Sequence, residues 1–185
     1  MQGKQVTIIK RGRQSSIMSK LPLFRAFLFV SFTTFLPSAN AARYLSCPNG
    51  WLTYEGSRSC YRLGGTSKKW IEARKACFAM GGDLVKIDSS QENNYVALLA
   101  RTIPKNNNYL WTGLVADRNH KFMWIDGTYL SGQYSNWHSG EPNNDLGVEE
   151  CVILILHDMT WNDTTCVHKS PRAYICEKEK PKHLN

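Results

Sequence analysis

The chain has 185 residues, 23 of them Lys or Arg against 15 Asp or Glu, for a formal charge of +8. That length allows one ordinary domain plus a leader, and the charge is lopsided: residues 1–41 hold Lys4, Lys10, Arg11, Arg13, Lys20 and Arg25 and no acid. The remaining 17 basic and 15 acidic residues nearly balance, with no basic stripe interleaved with aromatics, which excludes nucleic acid as a partner class.

Residues 1–41 read as a leader carrying a secretory signal peptide. Basic residues precede an apolar run, Ala26 to Leu36, which Pro37 breaks, and Ala39-Asn40-Ala41 supplies a small-x-small cleavage pattern. Cleavage there leaves 42–46 as a short mature N-terminus; Met18 is a second candidate start, because 18–41 alone has the length of a signal peptide. The apolar run falls well short of the roughly 20 residues needed to cross a bilayer. A secreted, extracellular protein without a stable membrane span is therefore expected, rather than a type II signal anchor. All six cysteines (47, 60, 77, 151, 166 and 176) follow the leader. An even count in an exported domain implies disulfides, with fifteen pairings open. No Cys-x-x-Cys occurs and the histidines are scattered, so zinc is not indicated.

Residues 47–63 read as a short hairpin or loop start. The pattern then predicts a helix from Ser67 to Met80, with Trp70, Ala73, Cys77 and Met80 on one face and Gly81-Gly82 ending it. Leu84 to Ile87 is a brief strand. Ser89-Ser90-Gln91-Glu92 is a capping box, in which serine and glutamate satisfy each other's free backbone N–H groups. Its helix carries Tyr95, Leu98, Leu99 and Thr102 and stops before Pro104. Strands are expected at Leu110–Leu114, Phe122–Ile125, Cys151–Leu156 and Ala173–Cys176. Trp51, Trp70, Trp111, Trp124 and Trp137 are expected to pack in the core or anchor loops, and 179–185 to form a frayed basic tail.

Residues 126–148 have no strong period, and a loop of that length in a compact domain is usually functional. Glu141, Asn143, Glu149, Asn162 and Asp163 offer three carboxylates and two carboxamide oxygens, an all-oxygen set suited to Ca²⁺. A carboxamide whose oxygen faces a metal keeps an N–H₂ donor for a second ligand. Such a set points to recognition. A glycosidase using Glu141 and Glu149 as paired carboxylates is disfavoured, because calcium would hold both ionised and leave neither as a proton donor.

Several motifs in order carry a resemblance: Cys-Pro-x-Gly-Trp at 47–51, Trp-Thr-Gly-Leu at 111–114, Asn136-Trp137, Glu141-Pro142-Asn143, Glu149-Glu150-Cys151, Trp161-Asn162-Asp163 with Cys166, and Tyr174-Ile175-Cys176-Glu177. From about Cys47 to Glu177 the chain resembles the C-type lectin-like domain in its long form. The resemblance implies an α+β fold over 47–178, two helices flanking small antiparallel sheets with a long calcium-binding loop region. It implies the pairs Cys47–Cys60, Cys77–Cys176 and Cys151–Cys166. It also implies a calcium and carbohydrate site built from Glu141, Asn143, Glu149, Asn162 and Asp163, with Pro142 as a cis-proline. A second, structural calcium site of some members meets Ala116 or Asn119 and Asn144 here, leaving Asp117, Asp145, Glu149 and Glu150.

In that family Glu-Pro-Asn goes with equatorial vicinal diols, as in mannose, fucose or N-acetylglucosamine, and Gln-Pro-Asp with galactose. The expected function is a non-enzymatic, calcium-dependent lectin of mannose type, with partners among glycoproteins or microbial surfaces and a role in glycan recognition or innate immunity. The alternative is a calcium-independent binder of protein, ice or lipid on the same fold. A homo-oligomer would supply avidity, although no coiled coil or spare cysteine provides an obvious device for it.

Overall fold

Two long strands frame the domain because their side chains alternate while their backbones pair along most of their length. In a computed structural model, residues 45–105 and 108–182 are described; the leader, its cleavage site and both candidate starts lie outside them. The elements run β1 (Leu52–Thr53), β2 (Ser59–Lys69), α1 (Trp70–Ala79), β3 (Asp83–Leu84), α2 (Ser90–Arg101), β4 (Tyr109–Ala116), β5 (Phe122–Trp124), β6 (Cys151–Ile155), β7 (Trp161–Thr164) and β8 (Val167–Glu179). No helix among the described residues is long and apolar enough to cross a membrane.

The strands join in the order β1-β2-β8-β4-β6-β7, with β3 on β8 and β5 on β4. Pairings are antiparallel except β4 on β8, which is parallel at Leu110–Ala173 and Trp111–Tyr174. The small separate antiparallel sheets expected are thus one mixed sheet, because β8 is long enough to pair with β2, β3 and β4 along its length. This also corrects the frayed tail. Glu179 is still in β8, and buried Lys180 donates from Nζ to Tyr54 O at 3.1 Å and Ser57 O at 2.8 Å.

Helix α1 buries the expected Trp70, Ala73 and Cys77, but starts at Trp70 rather than Ser67. Ser67 and Lys69 are instead drawn into β2 by pairing with Arg172 and Val167 of β8. The chain leaves the helix through Gly81 at φ +82°, a conformation only glycine adopts without cost. The brief strand ends at Leu84, although Val85 and Ile87 are buried and Val85 N donates to Ile175 O at 3.1 Å.

The capping box holds in one half. Ser89 Oγ accepts from Glu92 N at 3.2 Å, but Glu92 Oε2 accepts from Asp88 N at 2.8 Å, and its other oxygen accepts from the Tyr61 hydroxyl. On α2 the expected Tyr95 and Leu99 pack half-buried against the core, but Leu98 is exposed, and the inward face is rotated to Glu92, Asn93, Val96, Ala97 and Ala100, which are buried. Asn93 explains the rotation. Its Nδ2 donates to Met159 O at 2.7 Å and its Oδ1 accepts from Trp161 Nε1 at 2.8 Å, so a polar side chain fixes the inward face.

Two packed clusters lie on the sheet. One gathers Val96, Ala100, Leu110, Leu114, Trp124, Leu154 and Trp161 beneath α2; the other gathers Trp51, Trp70, Cys77, Trp111, Ile153 and Cys176 beside α1. Trp137, half-buried, packs against the first.

Glu177 at the end of the β8 motif is half-buried, with both carboxylate oxygens engaged. Its Oε1 accepts from Ser59 Oγ at 2.5 Å and its Oε2 from Lys86 N at 2.6 Å, and burial pushes its pKa up to about 8. A carboxylate raised in the folded state contributes full stability below its unfolded pKa and loses it as pH rises through the folded value. Glu177→Gln keeps one oxygen for Lys86 N and turns a donor toward Ser59 Oγ. In EDTA, the wild type is expected to lose denaturation midpoint between about pH 5 and pH 8, and Glu177→Gln to show a flatter profile over that window. Parallel profiles would count against a neutral Glu177 in the fold.

Candidate functional site

The hairpin β6–β7 places the acids. Antiparallel register sets Asp163 opposite Val152 and Thr164 opposite Cys151, and the Cys151–Cys166 disulfide ties the same end. Glu149, two residues before β6, therefore arrives beside Asp163. The loop before it is anchored on β7: His138 N donates to Trp161 O at 2.8 Å, and Glu141 N to His138 O at 3.0 Å. Beneath, Trp161 is fully buried, with edge contacts to Trp124, Tyr134 and Trp137. The Glu141–Pro142 bond is cis.

Asp163 organises the loop from below. It is fully buried, and its Oδ1 and Oδ2 accept from Asn143 N at 3.1 Å and Asn144 N at 2.9 Å. Asn144, at φ +48°, accepts on Oδ1 from Glu149 N at 3.2 Å, while Glu149 Oε2 accepts from Asp145 N at 2.9 Å. Asn143 Nδ2 donates to Glu141 Oε1 at 2.9 Å, and the Asn162 amide donates to the same carboxylate. All five residues singled out in the sequence are thus brought together. Glu141, Glu149 and Asp163 each present a carboxylate oxygen within 4.8 Å of the others.

Negative charge is crowded where these carboxylates meet. Burial raises the Glu141 pKa, and hydrogen bonding and repulsion from Asp163 raise it further. Burial also raises Glu149, with the charges of Asp163 and Asp145 adding to it, while the bond from Asp145 N opposes. Glu141 Oε2 is buried without a hydrogen-bond partner among the described residues. Buried carboxylate oxygens rarely stay unpaired, and three convergent carboxylates with two amides fit a hard divalent cation better than any side-chain donor.

His138, by contrast, turns to Thr160 Oγ1 at 3.2 Å and Asp158 at 3.3 Å. The residues left for a second calcium site do not gather. Asp117 Oδ1 accepts from Asn119 N at 2.8 Å and Lys121 N at 2.9 Å within its own turn, and no second cluster of three acids, histidines or cysteines forms among the described residues.

Three residues at the site were not assigned to it from sequence. Asn144 links Asp163 to Glu149; an asparagine directly after Glu-Pro-Asn is a fair signal for a left-handed hinge. His120 Nε2 lies 3.8 Å from Asp163 Oδ2, from a turn 43 residues away, with no local signal. Arg172 is buried, with its guanidinium 4.5 Å from the Trp111 ring centre; burial pushes its pKa down to about 10, and its charge lowers the pKa of Glu149.

The profile of the Lectin C-type domain matches residues 66–178, more than half of the chain. The chain belongs to the C-type lectin family. Among curated relatives, the galactose-specific lectin nattectin of Thalassophryne nattereri is 31% identical over 164 residues, covering 87% of this chain and 99% of nattectin. The chain spans only about half or less of the length of several other relatives. The carbohydrate-recognition domain of cow CD23, crystallised with a GlcNAc2Man3 oligosaccharide, is 33% identical with a TM-score of 0.62, over 74% of this chain and 98% of that one. A calcium-independent type II antifreeze protein is 27% identical with a TM-score of 0.61, over 75% of this chain and 98% of that one. This C-type lectin has the α+β fold of its family, whose relatives here are carbohydrate-binding proteins and not enzymes.

Proposed function

We propose that the protein is a secreted, calcium-dependent lectin of mannose type, selecting mannose, fucose or N-acetylglucosamine on glycoproteins or microbial surfaces. One observation carries this reading: the carboxylates of Glu141, Glu149 and Asp163 converge, with one buried oxygen unpartnered and two amides alongside. Glu141, Asn143, Glu149, Asn162 and Asp163 would hold the ion, which when bound offers open coordination positions to adjacent hydroxyls. Glu141 and Glu149, ionised, accept from those hydroxyls; the Asn143 and Asn162 amides donate to them. Asp163, fully buried and committed to two backbone N–H groups, positions the loop and does not reach a sugar.

Selectivity follows from the order of acid and amide. In Glu-Pro-Asn the acceptor precedes the donor, and exchanging them exchanges which hydroxyl each can serve. Nattectin carries galactose in its name and the CD23 domain was crystallised with a mannose-containing glycan, so kinship alone leaves the sugar open. The antifreeze neighbour supports a calcium-independent reading of the same fold, but a binder without calcium has no use for three convergent carboxylates, where burial and neighbouring negative charge raise the pKa of Glu141 and Glu149.

On a glycan array the chain without its leader is expected to bind mannose-type glycans in calcium, to lose that binding in EDTA, and to be inhibited by mannose but not galactose. Inhibition by galactose alone would overturn the preference. Undiminished binding in EDTA would overturn the calcium reading.

A further inference from the structure

Helix α1 is apolar on two sides. Trp70, Ala73 and Cys77 face the core, yet Ile71 and Phe78 are 47% and 56% exposed. Residues i, i+4 and i+7 share one face of a helix, so Ile71, Lys75 and Phe78 form a single outward stripe. Val167, 59% exposed, extends it: it pairs with Lys69 in the β2–β8 register, and Trp70 N donates to Cys166 O at 2.9 Å. We infer that this stripe and its basic border dock the protein on a bilayer carrying anionic phospholipid headgroups, a binding activity that uses none of the acid cluster.

The border is basic. Lys68, Lys69, Arg74 and Lys75 flank the stripe, and Lys169 lies in the register break of β8 opposite Lys68. Glu72 and Asp83 are the acids beside them. Of the 17 basic and 15 acidic residues after residue 41, this face takes five and two, leaving 12 and 13. The net positive charge of residues 42–185 is therefore concentrated here. Lys69 pairs with Glu72 at 3.1 Å and Arg74 with Asp83 at 3.0 Å, whereas Lys68, Lys75 and Lys169 have no ion pair among the described residues. Arg74, fixed on Asp83, also sits 5.1 Å from the Phe78 ring centre and props that ring at the surface.

Composition and charge select the occupant. Lysine is depleted at protein–protein interfaces, but at a membrane its stem lies along apolar surface while the ammonium reaches the headgroups. A second copy packed on the same face would set lysine against lysine. Residues 1–41, with six basic residues and no acid, would be repelled as well. A soluble polyanion would use the lysines and leave Ile71, Phe78 and Val167 in water. An anionic bilayer serves both, taking the apolar side chains at the acyl boundary and the lysines among the headgroups.

The test is co-sedimentation with vesicles of phosphatidylcholine, alone or with about 30% phosphatidylserine. EDTA is present throughout, so that calcium cannot bridge headgroups to the acid cluster. Wild type and variants are compared as secreted from expressing cells, so that all carry the same N-terminus. Each unpaired lysine near an anionic surface is worth roughly fivefold in affinity, so the wild type is expected to prefer the anionic vesicles by about a hundredfold, less at raised salt. Lys68→Gln with Lys75→Gln and Lys169→Gln should remove most of that preference. Ile71→Ser with Phe78→Ser should weaken binding about tenfold. Lys105→Gln with Lys121→Gln and Lys182→Gln, the same charge change elsewhere, should bind as wild type. All these side chains are exposed, and melting temperatures in EDTA check that each variant is folded. Equal loss in the two lysine triples would reduce the effect to overall charge and overturn the docking face. Wild-type binding by the Ile71 and Phe78 variant would make the face a polyanion site. No preference for anionic vesicles in the wild type would overturn membrane docking and favour an acidic protein as the partner. Sugar binding in calcium is untouched by any of these results.

Discussion

Asp163→Asn is expected to abolish calcium binding, with a loss of affinity well beyond a hundredfold. Groups that merely orient a metal ligand are typically worth about 10- to 100-fold, and Asp163 combines both roles. It supplies a carboxylate to the proposed ion and holds the Glu-Pro-Asn loop through Asn143 N and Asn144 N. An amide has one acceptor and one donor end, so whichever way it turns, a buried N–H faces another N–H. That leaves an unsatisfied buried donor at a cost of about 1–3 kcal/mol, and the calcium-free variant should be less stable than the calcium-free wild type.

Glu149→Gln makes the contrast informative. It too should lose calcium, because a carboxylate is gone, but its amide oxygen can still accept from Asp145 N. It also removes one charge from a cluster in which burial and neighbouring carboxylates raise the pKa values of Glu141 and Glu149. The calcium-free Glu149→Gln protein should therefore equal or exceed the wild type in stability. Calcium titration followed by melts in EDTA reads both quantities. If both variants lose calcium and shift the EDTA melt in the same direction, the separate anchoring role of Asp163 is wrong.

The same cluster fixes the sign of the pH response. Folded pKa values above the unfolded ones mean that, without calcium, this cluster favours the folded state more as pH falls through them. Calcium works the other way, since it binds the deprotonated acids and stabilises by mass action. The gap between calcium-loaded and calcium-free melting temperatures should accordingly close on acidification, with sugar released over the same range.

What could be read in advance depended on how far each residue's partner lay along the chain. The helix face of Trp70, Ala73 and Cys77 is a local pattern, and it is buried as expected. The face of α2 was read only in part, at Tyr95 and Leu99, because Asn93 is polar, and only Met159 and Trp161, more than sixty residues on, make its burial favourable. The start of α1 failed for a related reason: Ser67 and Lys69 have no strong local preference, and pairing with β8 decides for strand. At the site, Glu141, Asn143, Glu149, Asn162 and Asp163 were visible together because three short motifs carry them. His120 and Arg172 reach the site through turns and stacking that leave no trace in nearby sequence. The tail was misjudged on charge alone, since Lys180 is held by two backbone carbonyls of the β1–β2 connection.

Replacing both Cys77 and Cys176 by alanine should destabilise the domain more than removing either other disulfide. The three bridges span 99, 15 and 13 residues. In the chain-entropy description, closing a loop of about 100 residues is worth about 4.7 kcal/mol and one of about 15 residues about 3 kcal/mol. A domain of ordinary stability holds about 5–15 kcal/mol in total, so the first loss is a large share of it. Packing adds to the difference: Cys77 and Cys176 are fully buried in the cluster with Trp51, Trp70 and Trp111, and alanine leaves a void there. Removing Cys151–Cys166 should cost less stability but more function, because that bridge ties the hairpin end where Glu149 meets Asp163. Urea denaturation of the three double-alanine variants, paired with calcium titration, separates the two effects. If the Cys47–Cys60 variant lost as much stability as the Cys77–Cys176 variant, loop length would not govern these bridges, and strain or residual structure in the unfolded chain would have to be invoked instead.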